Sequence, residues 1–500
     1  MRDNCRVRVR VVPLPSGRRT IQVVSKRLGK LTIHKHIGTF TTDEEKESLL
    51  KAAKDFILGQ TGQIELLGIP SHLQLKNVII TKSSPLFLYR LLGRIYDLLG
   101  FNSIDDPLIK DLVVARIYQP HSKRETREML SDLFERSYSL ITIYRHLKNA
   151  IDNGLKDKLQ KSLINFARTG LSDSLRLVFY DVTTLAFDSQ AKVGIKDFGF
   201  SKDHRFQDVQ IVIGLVVNHD GFPIYFDVFN GKTFEGKTFI PIVENIKKLL
   251  NSDNLTVVAD AAMISRLNIE ELNQKGVGFI VGARLGNIPV HLQEEISQTV
   301  SKQDLKITTV NYLDYRLICQ YSNTRANKDK SDREKQIKKA EAVISSPAKI
   351  SYRYRFVKAI NGKYQINDDL IKKTERLEGI KGYLTNTKLD DQTIINRYHD
   401  LWRIEKSFRI TKTDLEARPI FLKLDKTITA HLVIIFAGLA IIRYVELKTN
   451  MSIKRVLKIA AKILTHQVIN TQTKEKVLID TTIVDESLRE KIALLNSLGH

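Results

Sequence analysis

Cysteine is nearly absent. Cys5 and Cys319 are the only two in 500 residues, which excludes a disulfide framework or a cysteine zinc centre built within one chain. A reducing cytoplasm is the expected location, and no apolar segment follows the charged N-terminus as a secretory signal would require. Long hydrophobic runs are also missing. The most apolar stretch, Ala430 to Ile442, has 13 residues, short of the roughly 20 that cross a bilayer. It reads as a buried helix, and no membrane partner is expected. Acid is scarce relative to base: 56 Asp+Glu stand against 79 Lys+Arg, a net charge of +23. An excess of that size marks chains that meet a polyanion, nucleic acid first among them. Residues 1 to 40 hold ten Lys/Arg and a single acid, Asp3, and read as a contact arm; a solvated basic terminus is the alternative. The length allows two to four domains, and no repeat or low-complexity segment divides them.

Residues 6 to 12, RVRVRVV, alternate strictly. In a strand this puts Arg6, Arg8 and Arg10 on one face and the valines on the other. TTDEEKESLLKAAKDFI then opens like a capped helix with acids in its first turn. From Leu86 to Arg168 the texture is helical, interrupted by the loop YQPHSKRE (118 to 125) with His121, Lys123 and Arg124. At Leu175 it changes. LRLVFYD and two apolar runs flanking Asp220-Gly221 predict three antiparallel strands with a hairpin turn. A helix (238 to 250), a strand (255 to 260), a helix (264 to 274) and a strand (277 to 283) complete a β-β-β-α-β-α-β order. Residues 284 to 381 break the rhythm, mixing strand-like stretches with a charged helical run, and read as an insertion. GYLTNT resembles one more strand, a helix capped by Asp390 or Asp391 follows, and the rest is helical.

Three acids stand where such a core would gather them. Asp181 and Asp260 each end an apolar strand, and Glu405 lies on the late helix. Groups at adjacent strand ends converge in an α/β sheet. Clustered carboxylates repel one another unless a cation sits between them, so the set predicts hard divalent ions such as magnesium or manganese. Taken singly, an Asp after a strand is as readily a turn former, and a helical Glu beside Lys406 or Arg409 a surface ion pair. The helix adds geometry. At 100° per residue Tyr398, Trp402, Glu405, Arg409 and Lys412 fall within about 80° of one another, beside an apolar face of Leu401, Ile404 and Phe408. Trp402 is expected to serve packing.

Tyr398, Glu405 and Lys412, with YDVTTLAFDS around Asp181, FNGKTFEGKTF at 229 to 239, VVADAAM around Asp260 and RPIFLKLDKTITAHL after the helix, resemble the DDE transposases of bacterial insertion sequences, in the insertion-sequence-four group. That group carries the signature Tyr-x2-Arg-x3-Glu-x6-Lys; here Leu401 stands at the Arg position. The resemblance implies an α/β, RNase H-like (retroviral integrase-like) catalytic core with a mostly β insertion. Its domains would be a basic N-terminal β region and helix (1–60), a helical DNA-binding region (61–170), the core's first part (171–283), the insertion (284–381), the core's second part with Glu405 (382–425) and a helical C-terminal region (426–500). It implies that Asp181, Asp260 and Glu405 are catalytic and hold two Mg2+ or Mn2+, and that Tyr398, Arg409 and Lys412 hold DNA phosphates; the basic face of the N-terminal strand makes Arg6, Arg8 and Arg10 further candidates for DNA contact. The activity implied is cleavage at terminal inverted repeats and strand transfer into target DNA. Dimeric synapsis and a bacterial, nucleoid-associated cytoplasmic location go with it. A structure-selective nuclease on the same fold and a catalytically silent DNA-binding regulator are the competing readings.

Overall fold

The computed structural model describes residues 7–15, 17–27, 30–61, 78–188, 190–200, 207–252, 254–263, 265–300, 302–345, 354–360, 363–418, 420, 422–481 and 483–499. Cys5 and Arg6 lie outside these. The chain divides into two compact units: residues 1–94, 129–136 and 451–500, and residues 95–128 with 137–450.

In the first unit the alternating RVRVRVV segment forms β1 (Val7–Pro13), antiparallel to β2 (Arg19–Arg27), which pairs with β3 (Lys30–Phe40). Arg8 and Arg10 are exposed. Val9 packs on the other side with Ile21, Val23 and Phe40 beneath α1 (Asp43–Thr61). That helix opens on a capping box: Thr42 Oγ1 accepts from the Glu45 N–H, and the Glu45 carboxylate accepts from the Thr41 and Thr42 N–H groups. A strand unforeseen in the sequence, β4 (Val78–Ser84), follows. The expected helices come next in the chain: α2 (Leu86–Leu98) and α4 (Lys123–Phe134) have residues in both units, whereas α3 (Pro107–Tyr118), α5 (Leu140–Asp152) and α6 (Leu155–Thr169) belong to the second.

The second unit is mixed α/β. Its elements run β5 (Leu177–Ala186), β6 (Gln210–Asn218), β7 (Pro223–Asn230), α7 (Gly236–Leu250), β8 (Thr256–Ala259), α8 (Arg266–Gln274) and β9 (Gly278–Ala283), the order expected from texture. The hairpin between β6 and β7 turns at Asp220-Gly221, with Gly221 at φ +77. The expectation of a mostly β segment over 284–381 does not hold. It carries helices α9 (Val290–Val300), α10 (Asn323–Ile344) and α11 (Asp368–Arg376) around strands β10 (Ile307–Tyr312), β11 (Tyr315–Tyr321), β12 (Val357–Ile360) and β13 (Lys363–Ile366). Charge explains the weight of helix. The Lys/Glu/Asp-rich run of α10 contains neither Gly nor Pro, and Ser322 caps it.

β14 (Ile380–Thr385) returns the chain to the sheet, whose strand order is β10-β11-β14-β9-β8-β5-β6-β7. Only the neighbouring pairs β5–β8 and β8–β9 are parallel; the remaining neighbouring pairs are antiparallel. Two helices follow, α12 (Asp391–His399), capped by Asp390, and α13 (Trp402–Thr413). α14 (Asp425–Thr449) contains the Ala430–Ile442 run and is buried nearly throughout against α3, α5 and α6. Phe436 stacks on Phe226 of β7 at 4.1 Å. The expectation of an all-helical C-terminus fails too. Between α15 (Ile453–Ala460) and α16 (Glu486–Asn496) lie β15 (Thr465–Asn470) and β16 (Lys476–Asp480), and β15 pairs with β4 in the first unit. Each of these strands mixes apolar and polar residues without clean alternation, so its pattern is weak until a partner pairs with it.

Candidate active site

Asp181 and Asp260 are brought side by side by register. β5 and β8 pair in parallel up to Tyr180↔Ala259, and the two aspartates are the next residues on each strand. β8 ends there, but β5 does not. Asp181 sits mid-strand, because Val182 to Ala186 are buried and pair onward with β6. This corrects the expectation that Asp181 ends its strand. Each carboxylate is turned by a backbone donor: Val182 N–H donates to Asp181 Oδ1 and Ala261 N–H to Asp260 Oδ1, both at 2.7 Å.

The helix carrying Glu405 is broken where the wheel assumed continuity. Leu401 N–H bonds the Tyr398 carbonyl and Arg403 N–H that of Asp400, three residues back rather than four, so α12 and α13 meet at a tight turn. The turn separates the five-residue stripe. Tyr398, on α12, is buried and donates its hydroxyl to Asp260 Oδ1 at 2.8 Å. Burial and the Asp260 charge push its pKa up, so it stays a donor. Glu405, on α13, is exposed, and its carboxylate makes no hydrogen bond or ion pair among the described residues. Leu401, Ile404 and Phe408 form the expected core face. Trp402 does not pack. It is 53% exposed, with the Arg403 guanidinium 5.5 Å from its ring.

Asp181, Asp260 and Glu405 line one cavity of about 650 Å³ together with Tyr398, Trp402, His399 and Lys381. Arg409 and Lys412 are outside it, Arg409 exposed and Lys412 half-buried. Lys381, on β14, escaped the sequence reading. Its ammonium lies 4.4 Å from the Tyr398 ring centre. Burial, with Arg325, holds its pKa down, while Asp260 and Glu405 pull it up. No motif marks Lys381; only the pairing of β14 beside β9 delivers it. His399 accompanies it, 3.0 Å from the Tyr383 hydroxyl, its pKa lowered by burial and by Lys381. A neighbouring cavity of about 770 Å³ shares Asp260, Lys381 and Tyr398 and continues to Arg325 and Arg333 of α10 and Lys373 of α11.

Carboxylate oxygens are suited to hard divalent ions. Among the described residues, however, no three His, Cys, Asp or Glu side chains stand close enough together to hold one ion. The donor set fits a divalent metal in kind. Closure needs a side-chain movement, for which the unpartnered Glu405 has the freedom.

Acids at the end of a parallel strand pair, opposed by a helical Glu and bordered by lysine and arginine, place the chain among α/β proteins with an acidic site open to an anionic chain. A sequence model of the family described as "Transposase DDE domain" matches residues 173–440, more than half of the chain, and the chain belongs to that family. It is by family a DDE transposase, an enzyme type that cuts DNA and transfers strands. No curated protein matches it. A similar solved structure is the cryo-EM structure of the piggyBac transposase synaptic complex with hairpin DNA, at 9% identity and a TM-score of 0.40, covering 75% of this chain and 79% of that one.

Proposed function

We propose that this chain is the transposase of a bacterial insertion sequence in the insertion-sequence-four group. Its β5–β9 order, with three antiparallel strands followed by two parallel ones, supports an RNase H-like core. The enzyme binds the element's terminal inverted repeats, cleaves there and joins the ends to target DNA, acting as a dimer in the synaptic complex. The observation that carries this reading is the shared cavity of Asp181, Asp260 and Glu405. These three carboxylates would hold two Mg2+ or Mn2+ ions, which when bound activate the attacking oxygen and stabilise the leaving one. Tyr398 keeps Asp260 in one orientation through its hydroxyl. In this reading it positions a carboxylate, and Arg409 and Lys412 grip phosphates further along the helix. Lys381 offsets the acids' charge before DNA arrives.

Asp181→Asn, Asp260→Asn and Glu405→Gln should each abolish divalent-metal-dependent cleavage of duplexes carrying the sequences that border the gene, with affinity for those duplexes retained. A variant that cleaves at the wild-type rate removes its residue from the site. Strand joining with a pre-cut end separates a transposase from a nuclease.

A further inference from the structure

We propose that a second cavity, walled by α3, the start of α4, α14 and the segment after α13, is a phosphate-binding site, and that it takes a phosphate of the DNA the enzyme acts on. The proposal rests on the transposase reading for the source of the phosphate, but not for the site. Two parts of the chain that no catalytic role absorbed converge here: the YQPHSKRE loop, and Arg418, Ile420 and Leu422 after α13. The cavity is about 490 Å³, and its walls include Arg116, Lys123, Arg418, Glu416, Tyr144 and His431.

Three of its basic side chains are buried. Arg116 and Lys123 are each 7% exposed and His431 5%. Arg116 donates to the His121 carbonyl at 2.9 Å. Lys123 makes no hydrogen bond or ion pair among the described residues, and a buried charge without a partner is costly. His431 faces the Ala417 carbonyl with Nε2, and its buried Nδ1 has no partner among the described residues. The acids at hand do not compensate. Glu125 accepts from the Ser122 N–H in the cap of α4, the Glu416 charge bears on Arg116, and Arg124 pairs with Glu128, so none of these acids bonds Lys123. Burial, with Arg116, holds the Lys123 pKa down at about 7. Burial, then Lys123 and Arg116, keep His431 well below its usual value. An anion at this point would relieve all three groups.

Phosphate on a DNA strand is the source the position favours. The Glu405 helix ends at Thr413, about 12 Å beyond Glu405 at 1.5 Å per residue, and the cavity wall begins at Glu416. A strand carries a phosphate about every 3.4 Å of axis, so one held at Glu405 reaches the cavity within a few nucleotides. Tyr144, Ile420 and Leu422 give the cavity apolar wall on which a sugar or base can rest.

The test uses the full chain and two probes: inorganic phosphate at constant ionic strength, followed by thermal melting, and duplex DNA titrated across salt concentrations. Wild type should melt higher with phosphate. Lys123→Met should melt higher than wild type without phosphate, lose the phosphate-dependent shift, bind DNA roughly tenfold more weakly and show a salt slope smaller by about one. Lys123→Gln should show the same losses. A wild type indifferent to phosphate, or a Lys123→Met that melts lower, overturns the site, because a lysine that merely holds the fold behaves that way. A phosphate shift with an unchanged DNA salt slope overturns DNA as the source. The phosphate arm involves no cleavage, so its outcome is independent of the Asp181, Asp260 and Glu405 variants.

Discussion

Tyr398 illustrates how one residue's role depends on a neighbour with no side chain at all. Its hydroxyl reaches Asp260 only because Gly282 on β9 leaves room; a Cβ there would stand 2.5 Å from that oxygen. Gly282→Ala must therefore displace the ring. The lost hydrogen bond to a charged acceptor is worth about 1.5–3 kcal/mol, so strand cleavage should fall by roughly tenfold or more, and Tyr398→Phe should fall similarly. Because both changes remove one interaction, the double variant should be no worse than the more severe single one. Wild-type cleavage by Gly282→Ala would show that the hydroxyl does not hold Asp260 for the chemistry. The tyrosine was legible in the sequence by spacing, but its partner was not, since nothing local ties residue 398 to residue 260 or 282.

At the scale of elements, α13 is anchored rather than merely packed. Lys406 bonds Glu446 of α14 at 2.8 Å, and Ser407 donates to the Gly221 carbonyl in the β6–β7 turn. Arg443 of α14, 4% exposed, closes the arrangement. It donates Nε to the Gly221 carbonyl, Nη2 to the Asp220 carbonyl and Nη1 to Glu446. Arg443→Met would leave Glu446 with Lys406 alone, the Gly221 carbonyl with Ser407 alone and the Asp220 carbonyl without this donor, and about 1–3 kcal/mol of stability should be lost. Chemical denaturation measures this, and a change under about 1 kcal/mol would mean the turn and helix hold without the guanidinium. The elements themselves were largely readable, because period-2 and period-3.6 patterns are local properties. The break between α12 and α13 was not, since Asp400 and Leu401 are compatible with a continuous helix until Leu401 is drawn into the core.

For the molecule as a whole, the charge of +23 makes phosphate contact the largest contribution to DNA affinity on the proposed reading. Arg8 and Arg10, exposed on β1, share in that contribution. Replacing both with alanine should lower the slope of log affinity against log salt by about two, roughly equally for all duplex sequences. An unchanged slope would take β1 out of the interface. Melting temperature should barely move, because neither side chain is buried.

The sequence alone determined the alternation of strands and helices through the core, the hairpin at Asp220-Gly221, the buried character of Ala430–Ile442 and the three acids worth following. These are set by side-chain periodicity, turn chemistry and composition, all of which act over a few residues. Tertiary structure decided what lies across space from what. The register of β5 on β8 places Asp181 beside Asp260, β14 brings in Lys381, and the packing of α14 sets His431 near Lys123 and Arg116. Burial then gives those groups their altered chemistry, because desolvation depends on the whole surrounding fold and leaves no trace in the local order of residues.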